Sequence, residues 1–449
     1  MTRYIGRRRF LAGASITAAA VLVTAGCGGT SATGETGDGQ DTHDGTGEVQ
    51  GDIVFAWWGG GARNEVTNAV ADLFEEANPD VSVSRESADW GDYWDRLNVQ
   101  ASGGNMPCVT QTQARQLNDF ASRNLLLPLD PMVESGAIDV STIPDDVLDS
   151  GRGPDGELYM VPYGAAYDAL MVNQTLAEET GAGVPPDGYD WEYFFDWLAE
   201  AQDDLPDDVA AANVGGGRPN YLIAYVQAHG EEMFADGQIG FPRELLVDFW
   251  TEWEELRESG VTNTADQWAE EPSASEQSYV AQGAVMADVQ PGNYLTPAQD
   301  TMDGQDTGQQ LVTVPLPSGP AGSGNVLITS GFSIPASCDN VSTAAAFVDF
   351  WINDDEGAEV FSSSNGAVTN ADHLQQQIDN PELPELKRHE LEVYEQIVGM
   401  SPPVIIYPPG YQATFEAAFT RAYEEIAFGR KSIEQAVDDF FAEANAGLG

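Results

Sequence analysis

Positive charge is what this 449-residue sequence most lacks, because 18 Lys and Arg residues stand against 73 Asp and Glu, for a formal net charge of −55. Lysine occurs only twice, at Lys387 and Lys431. Proteins grip the nucleic-acid polyanion through many cations, so this balance argues strongly against a nucleic-acid partner. An acid-rich, lysine-poor surface is typical of halophilic proteins, in which concentrated salt screens the repulsion. An acidic protein from an ordinary host is the alternative.

Cysteine is also rare, with three residues in the whole chain. Cys27 belongs to an N-terminal signal described below, which leaves Cys108 and Cys338 in the body of the protein. Export permits a disulfide between them, but sequence cannot show that two distant cysteines meet. Because nothing else suggests a disulfide scaffold, we favour two buried thiols.

Signs of catalysis are scarce too. The four histidines are far apart in the sequence, at His43, His229, His373 and His389. The chain has no zinc-protease helix motif, no serine-hydrolase elbow and no phosphate-binding loop. Carboxylate pairs of the kind that hydrolyse glycosides are uninformative among 73 acids. We therefore predict a protein that is not an enzyme and has no catalytic residues, cofactor or metal site.

The N-terminus has the features of an export signal. Residues 7–9 are three arginines, residues 12–23 form a short apolar run, and residues 24–27 read Thr-Ala-Gly-Cys. This pattern resembles a twin-arginine signal peptide over residues 1–26, followed by a lipobox that makes Cys27 the lipid-bearing first residue. An ordinary membrane anchor is the alternative. Cleavage would leave a net charge of −59, and the polar residues 27–50 are predicted to form a flexible tether.

Periodicity in the body of the chain indicates an α/β fold. Residues 52–56 are typical of a strand, residues 66–77 have apolar positions at helical spacing, and residues 81–84 alternate as a strand does. A strand–helix–strand beginning is typical of parallel sheets. Later segments predict further strands at 109–112, 158–161, 168–172, 285–288, 311–314 and 332–334, and a final helix that begins with the capping-box pattern of Ser432 and Gln435.

Several aromatic side chains lie beside Gly, Pro and polar residues, where strands end or helices begin. They include Trp57, Trp58, Trp90, Tyr163 and Tyr411. Ligands of open α/β sheets bind at the carboxyl ends of strands. Aromatic rings can cover the C–H faces of a sugar while polar side chains bond its hydroxyl groups. As a set, these residues favour a sugar-binding role over a core role.

The order of these segments resembles a family 1 extracellular solute-binding protein, the sugar-binding component of an ABC importer. Residues 155–163, for example, read Asp-Gly-Glu-Leu-Tyr-Met-Val-Pro-Tyr. The family usually has Asp at the positions of Cys108 and Gln113. The other matching stretches are residues 55–59, 73–75, 78–79, 93–97, 103–107, 125–130, 170–173, 282–286, 331–335 and 427–431.

The resemblance implies a two-lobed fold like that of periplasmic binding proteins, with hinge strands and a ligand cleft between the lobes. The first lobe would comprise residues 51–167 and 312–368, and the second residues 168–311 and 369–449. Asp168, at the first crossover, matches an acidic residue that binds sugar hydroxyls in maltose-type relatives. The ligand-binding residues so predicted are Trp57, Trp58, Asp89, Trp90, Gln113, Arg115, Tyr163, Asp168, Asn293, Tyr294, Gly331 and Tyr411.

These features predict a monomeric, lipid-anchored protein on the extracellular face of the cell membrane of a halophilic archaeon. It would capture a mono- or oligosaccharide by closing its lobes and deliver it to ABC permease subunits in the membrane. One alternative is a solute-binding protein for a glycerol phosphate or a polyamine. Another, from a different class, is a secreted carbohydrate-active enzyme.

Overall fold

The computed structural model describes residues 43–272 and 274–448. The predicted signal peptide, Cys27 and the first part of the predicted tether lie outside the described residues. Within the described part, no helix is long and apolar enough to cross a membrane.

The described residues alternate between strands and helices throughout. The strands are β1 Gly51–Trp58, β2 Val81–Ala88, β3 Val109–Gln113, β4 Val161–Asn173, β5 Ala210–Ala212, β6 Phe234–Ala235, β7 Gln238–Ile239, β8 Val285–Pro291, β9 Leu311–Val314, β10 Ser318–Gly319, β11 Gly322–Ser323, β12 Leu327–Ser333 and β13 Ala367–Val368. The helices are α1 Gly61–Ala77, α2 Trp90–Gly103, α3 Ala114–Ala121, α4 Asp130–Glu134, α5 Asp145–Asp149, α6 Gln174–Glu179, α7 Trp191–Gln202, α8 Pro219–Ala228, α9 Arg243–Ser259, α10 Ala265–Ala269, α11 Leu295–Asp303, α12 Val341–Asn353, α13 Asp355–Phe361, α14 Ala371–Asp379, α15 Glu385–Gly399, α16 Ala417–Ala427 and α17 Ile433–Gly447. A π-helix, Tyr411–Glu416, precedes α16, and 3₁₀ turns lie at Ser275–Gln277 and Gly292–Tyr294.

The predicted α/β class is confirmed, beginning with the first strand–helix–strand segment of the described chain. β1 pairs in parallel with both β2 and β3, and α1 connects β1 to β2. Alternation along β1 places Phe55 and Trp57 in one hydrophobic cluster and Ala56 and Trp58 in another, on the opposite face. The sheet is therefore covered on both faces, as expected of parallel strands joined by helices.

In the described part of the chain, nine strands form one mixed sheet in which β4 joins the two halves. The sheet order is β2-β1-β3-β12-β4-β8-β5, and β9 and β13 also pair with β4. The first half of β4 pairs with β12 and β13, and the second half with β8 and β9. We predicted strands at residues 158–161 and 168–172, but the structure has one strand of 13 residues, which begins at Val161 and includes residues 162–167 that we did not predict. Pro162 breaks the strand pattern in the sequence and lies at a pairing irregularity, where a strand tolerates proline.

The expectation of two free thiols is wrong, because Cys108 and Cys338 form a disulfide with their Cα atoms 4.7 Å apart. Cys108 immediately precedes β3, and Cys338 follows β12 by a few residues. β3 and β12 are antiparallel neighbours, with Thr110 opposite Ser333. The sheet register therefore brings together two cysteines that are 230 residues apart in sequence.

The end of the predicted tether lies against the folded body. The backbone amide of Gly47 donates to Ser342 Oγ at 2.8 Å, and that of Gln50 donates to Thr343 Oγ1 at 3.0 Å. The side-chain amide of Asn340 donates to the Gln50 carbonyl at 2.8 Å. Residues 43–50 are therefore fixed at the beginning of α12 and extend the fold toward the N-terminus.

Candidate functional site

A glycine-rich loop after β5 positions the first part of the site. A Cβ atom on Gly215, Gly216 or Gly217 would lie 2.2 Å from the ring of Trp253, Tyr423 or Trp268, respectively. Only glycine allows the backbone to approach aromatic rings this closely. The loop then enters α8 with proline in its first turn, a position proline favours. This local structure places the two residues on either side of that proline, Arg218 and Asn220, beside a cavity.

Asp168 is the centre of a second group, at the point where β4 passes from one half of the sheet to the other. Asn220 Nδ2 donates to Asp168 Oδ2 at 2.5 Å, and a guanidinium nitrogen of Arg115 lies 3.9 Å from the same oxygen. Arg115 also pairs with Glu416 at 3.4 Å. Asp168 is only 3% exposed, and its Oδ1 has no hydrogen-bond partner among the described residues.

Burial raises the pKa of the Asp168 carboxyl above its usual value, although the charge of Arg115 and the Asn220 hydrogen bond oppose that shift. A further hydrogen-bond donor that reaches Oδ1 would therefore stabilise the ionised form of this carboxyl group. Arg115 Nε is likewise buried and unpartnered within the described structure. The centre of the site thus offers one open acceptor on Asp168 and two open donors on Arg115, Nε and Nη2.

A third group surrounds Arg218. Its guanidinium contacts Asp288 Oδ2 at 3.1 Å and forms a short ion pair with Glu271. Asp288 is fully buried, and its oxygens also accept from Asn213, Gln290 and the Val289 amide, at 2.8–3.1 Å. Burial raises the pKa of Glu271 to about 7; repulsion from Asp288 adds to the shift and Arg218 opposes it. Two carboxyl groups here share one guanidinium.

Two adjoining cavities connect these groups. The first, here called the Trp268 cavity, has a volume of about 540 Å³ and is lined by Gly217, Arg218, Pro219, Asn220, Trp268, Ala269, Glu271, Pro272, Ser278, Gln290, Thr420 and Glu424. The second, called the Arg115 cavity, measures about 640 Å³ and is lined by Arg115, Pro219, Asn220, Gln412, Glu416, Ala417, Thr420, Arg421 and Glu424. Four residues line both, so the cavities form one continuous cleft.

Comparison with known proteins identifies the family. A family model described as bacterial extracellular solute-binding protein matches residues 69–387, which is most of the chain. The chain belongs to this family. It is therefore an extracellular solute-binding protein of ABC transporters, so the transport role that we predicted, rather than an enzymatic one, is confirmed at this level.

Solved structures of solute-binding proteins have the same fold as this chain. A family 1 extracellular solute-binding protein from Alicyclobacillus acidocaldarius is 21% identical, with a TM-score of 0.71 over 89% of this chain and 99% of that one. The acarbose-binding GacH receptor of Streptomyces glaucescens is also 21% identical, with a TM-score of 0.68 over the same shares. A periplasmic oligogalacturonide-binding protein from Yersinia enterocolitica is 18% identical, with a TM-score of 0.73 over 88% and 98%. The predicted two-lobed fold is confirmed.

Of the residues predicted from the sequence, Arg115 lines the Arg115 cavity. Asp168 lies behind the lining and is bonded to Asn220, which lines both cavities. Gln113 is half-buried at the end of β3, two residues before Arg115. Asn293 and Tyr294 are half-buried in the turn after β8, and Asn293 Oδ1 is buried without a partner in the described structure. Asp168 pairs with Pro291 across β4 and β8, so this turn begins beside Asp168.

None of the predicted rings lines either cavity, and five of them pack in or against the hydrophobic clusters: Trp57, Trp58, Trp90, Tyr163 and Tyr411. Trp58 is buried among the rings of Trp90, Tyr93 and Trp94, with centroid distances of 5.0–5.6 Å. Arg63 lies over the Trp58 ring at 5.0 Å. The neighbouring Asp89 is exposed just before α2, half-buried Trp90 begins that helix, and neither lines the two cavities.

Three further predicted rings are in the core. Trp57 is 2% exposed and donates through Nε1 to Asn64 at 2.8 Å. Tyr163 stacks on Phe332 at 4.6 Å, and its hydroxyl accepts from Arg63 at 3.1 Å. Tyr411 is fully buried and stacks on Phe415, which leaves its ring no open face in this conformation.

Gly331 has a structural explanation in the described conformation. A Cβ atom there would lie 2.4 Å from the Val161 carbonyl oxygen, so glycine allows β12 to approach β4.

Sequence reasoning missed Arg218, Asn220, Trp268, Glu271 and Glu416. The three glycines at residues 215–217, just before a helix that opens with proline, were the one available signal for Arg218 and Asn220. Nothing in the sequence distinguished Trp268 or Glu271 from other aromatic or acidic residues, because their role depends on segments far apart in the chain.

Proposed function

We propose that this protein captures a mono- or oligosaccharide in the cleft formed by the Trp268 and Arg115 cavities and delivers it to an ABC permease. The observation that carries the proposal is the set of buried polar atoms without partners around that cleft. Asp168 Oδ1 can accept a hydrogen bond, Arg115 Nε can donate one, and Ser278 Oγ can do either.

Buried polar atoms without partners are costly, and a bound ligand removes that cost when it supplies the missing groups. A hydroxyl group both donates and accepts, so a ring bearing several hydroxyls suits this mixture. Half-buried Trp268 lines the same cleft and provides an apolar surface for the C–H face of such a ring. Each cavity also lies within the range of about 300–1,000 Å³ that is usual for small-molecule sites.

Ligands of related structures support a saccharide. Acarbose is the ligand of the Streptomyces receptor, and oligogalacturonide that of the Yersinia protein. Two adjoining cavities also suit a ligand of more than one ring, although a single ring would fill either of them.

A phosphorylated ligand fits the cleft less well. It would need free cations, but Arg115 pairs with Asp168 and Glu416, and Arg218 pairs with two carboxyl groups. The remaining cation, Arg421, pairs with Glu443. Three arginines of the first predicted lobe are also engaged, Arg63 with Tyr163, Arg85 with Asp72 and Glu75, and Arg96 with Glu86.

Capture would proceed by closure of two lobes, residues 51–167 with 312–368 and residues 168–311 with 369–449. β4 is continuous across the proposed boundary and carries Asp168 there, so a change in its twist would move both lobes against a ligand. A ligand that contacts both lobes only in the closed state favours closure by that difference in affinity. In this scheme Arg115 contributes from the first lobe and Asn220 from the second.

Replacing Asp168 with Asn is expected to weaken saccharide binding by about tenfold to a hundredfold, because charged hydrogen bonds contribute about 1.5–3 kcal/mol. Isothermal titration calorimetry of the variant and the wild type against a panel of neutral, amino and acidic saccharides would measure the loss of affinity. Asp92→Asn makes the same change at an exposed position of α2 and should bind as the wild type does. Tight binding of a glycerol phosphate or a polyamine, with no saccharide bound, would overturn the proposed function.

We also propose that a lipid on Cys27 anchors the protein to the membrane. The arginine-rich signal and the Thr-Ala-Gly-Cys sequence support this proposal. Cys27→Ala is expected to move the protein from the membrane fraction of cells into the medium, because lipid attachment needs that thiol. Immunoblots of membrane and medium fractions would measure the distribution, with Ser31→Ala, a change in the same predicted tether, as the control. Equal membrane retention of wild type and Cys27→Ala would show that no lipid at Cys27 holds the protein.

A further inference from the structure

The Trp268 cavity has an unbalanced charge. Arg218 is the one cation among the residues that line it, whereas Glu271 and Glu424 also line it and buried Asp288 contacts Arg218. Glu424 has its own cation, Arg430, at 3.6 Å, so the excess of acid lies at Glu271 and Asp288. Two carboxyl groups therefore compete for Arg218 in a part of the site that is largely closed to water. Such a cluster favours an additional positive charge.

The two carboxyl groups that share Arg218 differ in how well they are already bonded. Asp288 accepts from Val289 through Oδ1 and from Asn213, Arg218 and Gln290 through Oδ2. Glu271 makes its short contact to Arg218 through Oε2 and has a side chain 8% exposed at the cavity. Glu271 is thus the carboxyl group that a ligand can reach and pair with.

Two neighbouring groups indicate what the cavity can hold. Trp268 presents its indole to the cavity, and indole rings attract cations over their faces. Ser278 is 1% exposed, lines the same cavity, and its Oγ has no partner among the described residues. An ammonium group has three N–H donors and would find a carboxylate, an aromatic face and a hydroxyl oxygen here.

We infer that the Trp268 cavity binds the amino group of an amine-bearing saccharide, with Glu271 as its counter-ion. This assignment rests on the proposed function, because the cavity is part of the proposed saccharide cleft. Acidic saccharides would be disfavoured by repulsion from Glu271 and Glu424.

Protonation provides a readout that a structural role of Glu271 would not produce. Burial raises the pKa of its carboxyl group above that of an exposed glutamate, so at mildly acidic pH the free protein retains protons there that an exposed glutamate has lost. The groups that face it are Arg218, Asp288, Glu424 and Tyr279, of which Tyr279 has its pKa raised by burial and then by Glu271. A bound ammonium favours the ionised carboxylate and lowers its pKa, so binding at pH 6 should release about one proton.

The experiment compares a glucosamine disaccharide with its N-acetylated form, with digalacturonate and with spermidine, by calorimetry at pH 6 in buffers of different ionisation enthalpy. We expect the amino disaccharide to bind at least tenfold more tightly than the N-acetylated one and to release about one proton. Glu271→Gln should abolish both the preference and the proton release. Glu270→Gln, which changes an exposed acid next in sequence, should leave both unchanged.

The outcomes separate the two proposals. Equal or tighter binding of the N-acetylated disaccharide or of digalacturonate, without proton release, overturns the assignment of the amine and leaves the saccharide function intact. Unchanged preference in Glu271→Gln also overturns it. Binding of spermidine alone, or of none of these ligands and no other saccharide, overturns the saccharide function and the assignment with it.

Discussion

Replacing Cys108 and Cys338 with Ala is expected to lower the free energy of unfolding by about 4 kcal/mol. The disulfide closes a loop of 230 residues, and long loops lose the most conformational entropy in the unfolded state. It also joins β3 to the segment after β12, two central strands of the sheet. Urea unfolding of the double variant and the wild type would measure the difference.

Wild-type protein unfolded in the presence of a thiol reductant is the control for this disulfide. It should approach the stability of the double variant, because both lack the covalent link. If the free energy of unfolding fell by less than about 1 kcal/mol in both the double variant and the reduced wild type, the disulfide would add little to the stability given by the sheet contacts.

Dialysis into low salt is expected to unfold the protein, which is the largest effect predicted here. With 73 acids and 18 Lys and Arg residues, most carboxylates cannot pair with a cation. The screening length grows from about 3 Å in 1 M salt to about 30 Å in 0.01 M salt, so repulsion that salt suppresses would act across the whole surface. Circular dichroism along a salt titration would follow the loss of the helical signal.

Refolding after salt is returned would show that the loss is reversible and electrostatic. A helical signal that stays constant through the titration would contradict the halophilic surface that we propose for this chain, and the archaeal source with it.

Local patterns predicted the elements of this fold better than its long-range contacts. The strand at residues 311–314 and the capping box of Ser432 and Gln435 are present as predicted. Residues 162–167 of β4 were not predicted as strand, and only the pairing with β12 shows how the strand continues through them. The Cys108–Cys338 bond was missed for a related reason, since it depends on the register of two strands far apart in sequence.

The residues of the candidate site also differ in how far the sequence could indicate them. Asp168 and Arg115 came from the family resemblance; Arg115 lines the Arg115 cavity, and Asp168 contacts it and Asn220 from behind the lining. The aromatic rings chosen for their places at strand ends, such as Trp57 and Tyr163, are buried because the ends of those strands are covered by further elements of the fold. Glu271 could not be identified, because its pKa is raised first by burial and then by Asp288, and both effects depend on segments far apart in the sequence.

The central claim is that a saccharide binds against Asp168, Arg115 and Trp268. A crystal structure of the protein with the saccharide that binds it most tightly tests this claim most directly. We predict a ligand hydroxyl within about 3 Å of Asp168 Oδ1 and a sugar ring facing the Trp268 indole. A saccharide bound elsewhere, with Asp168 Oδ1 still unpartnered, would contradict the account.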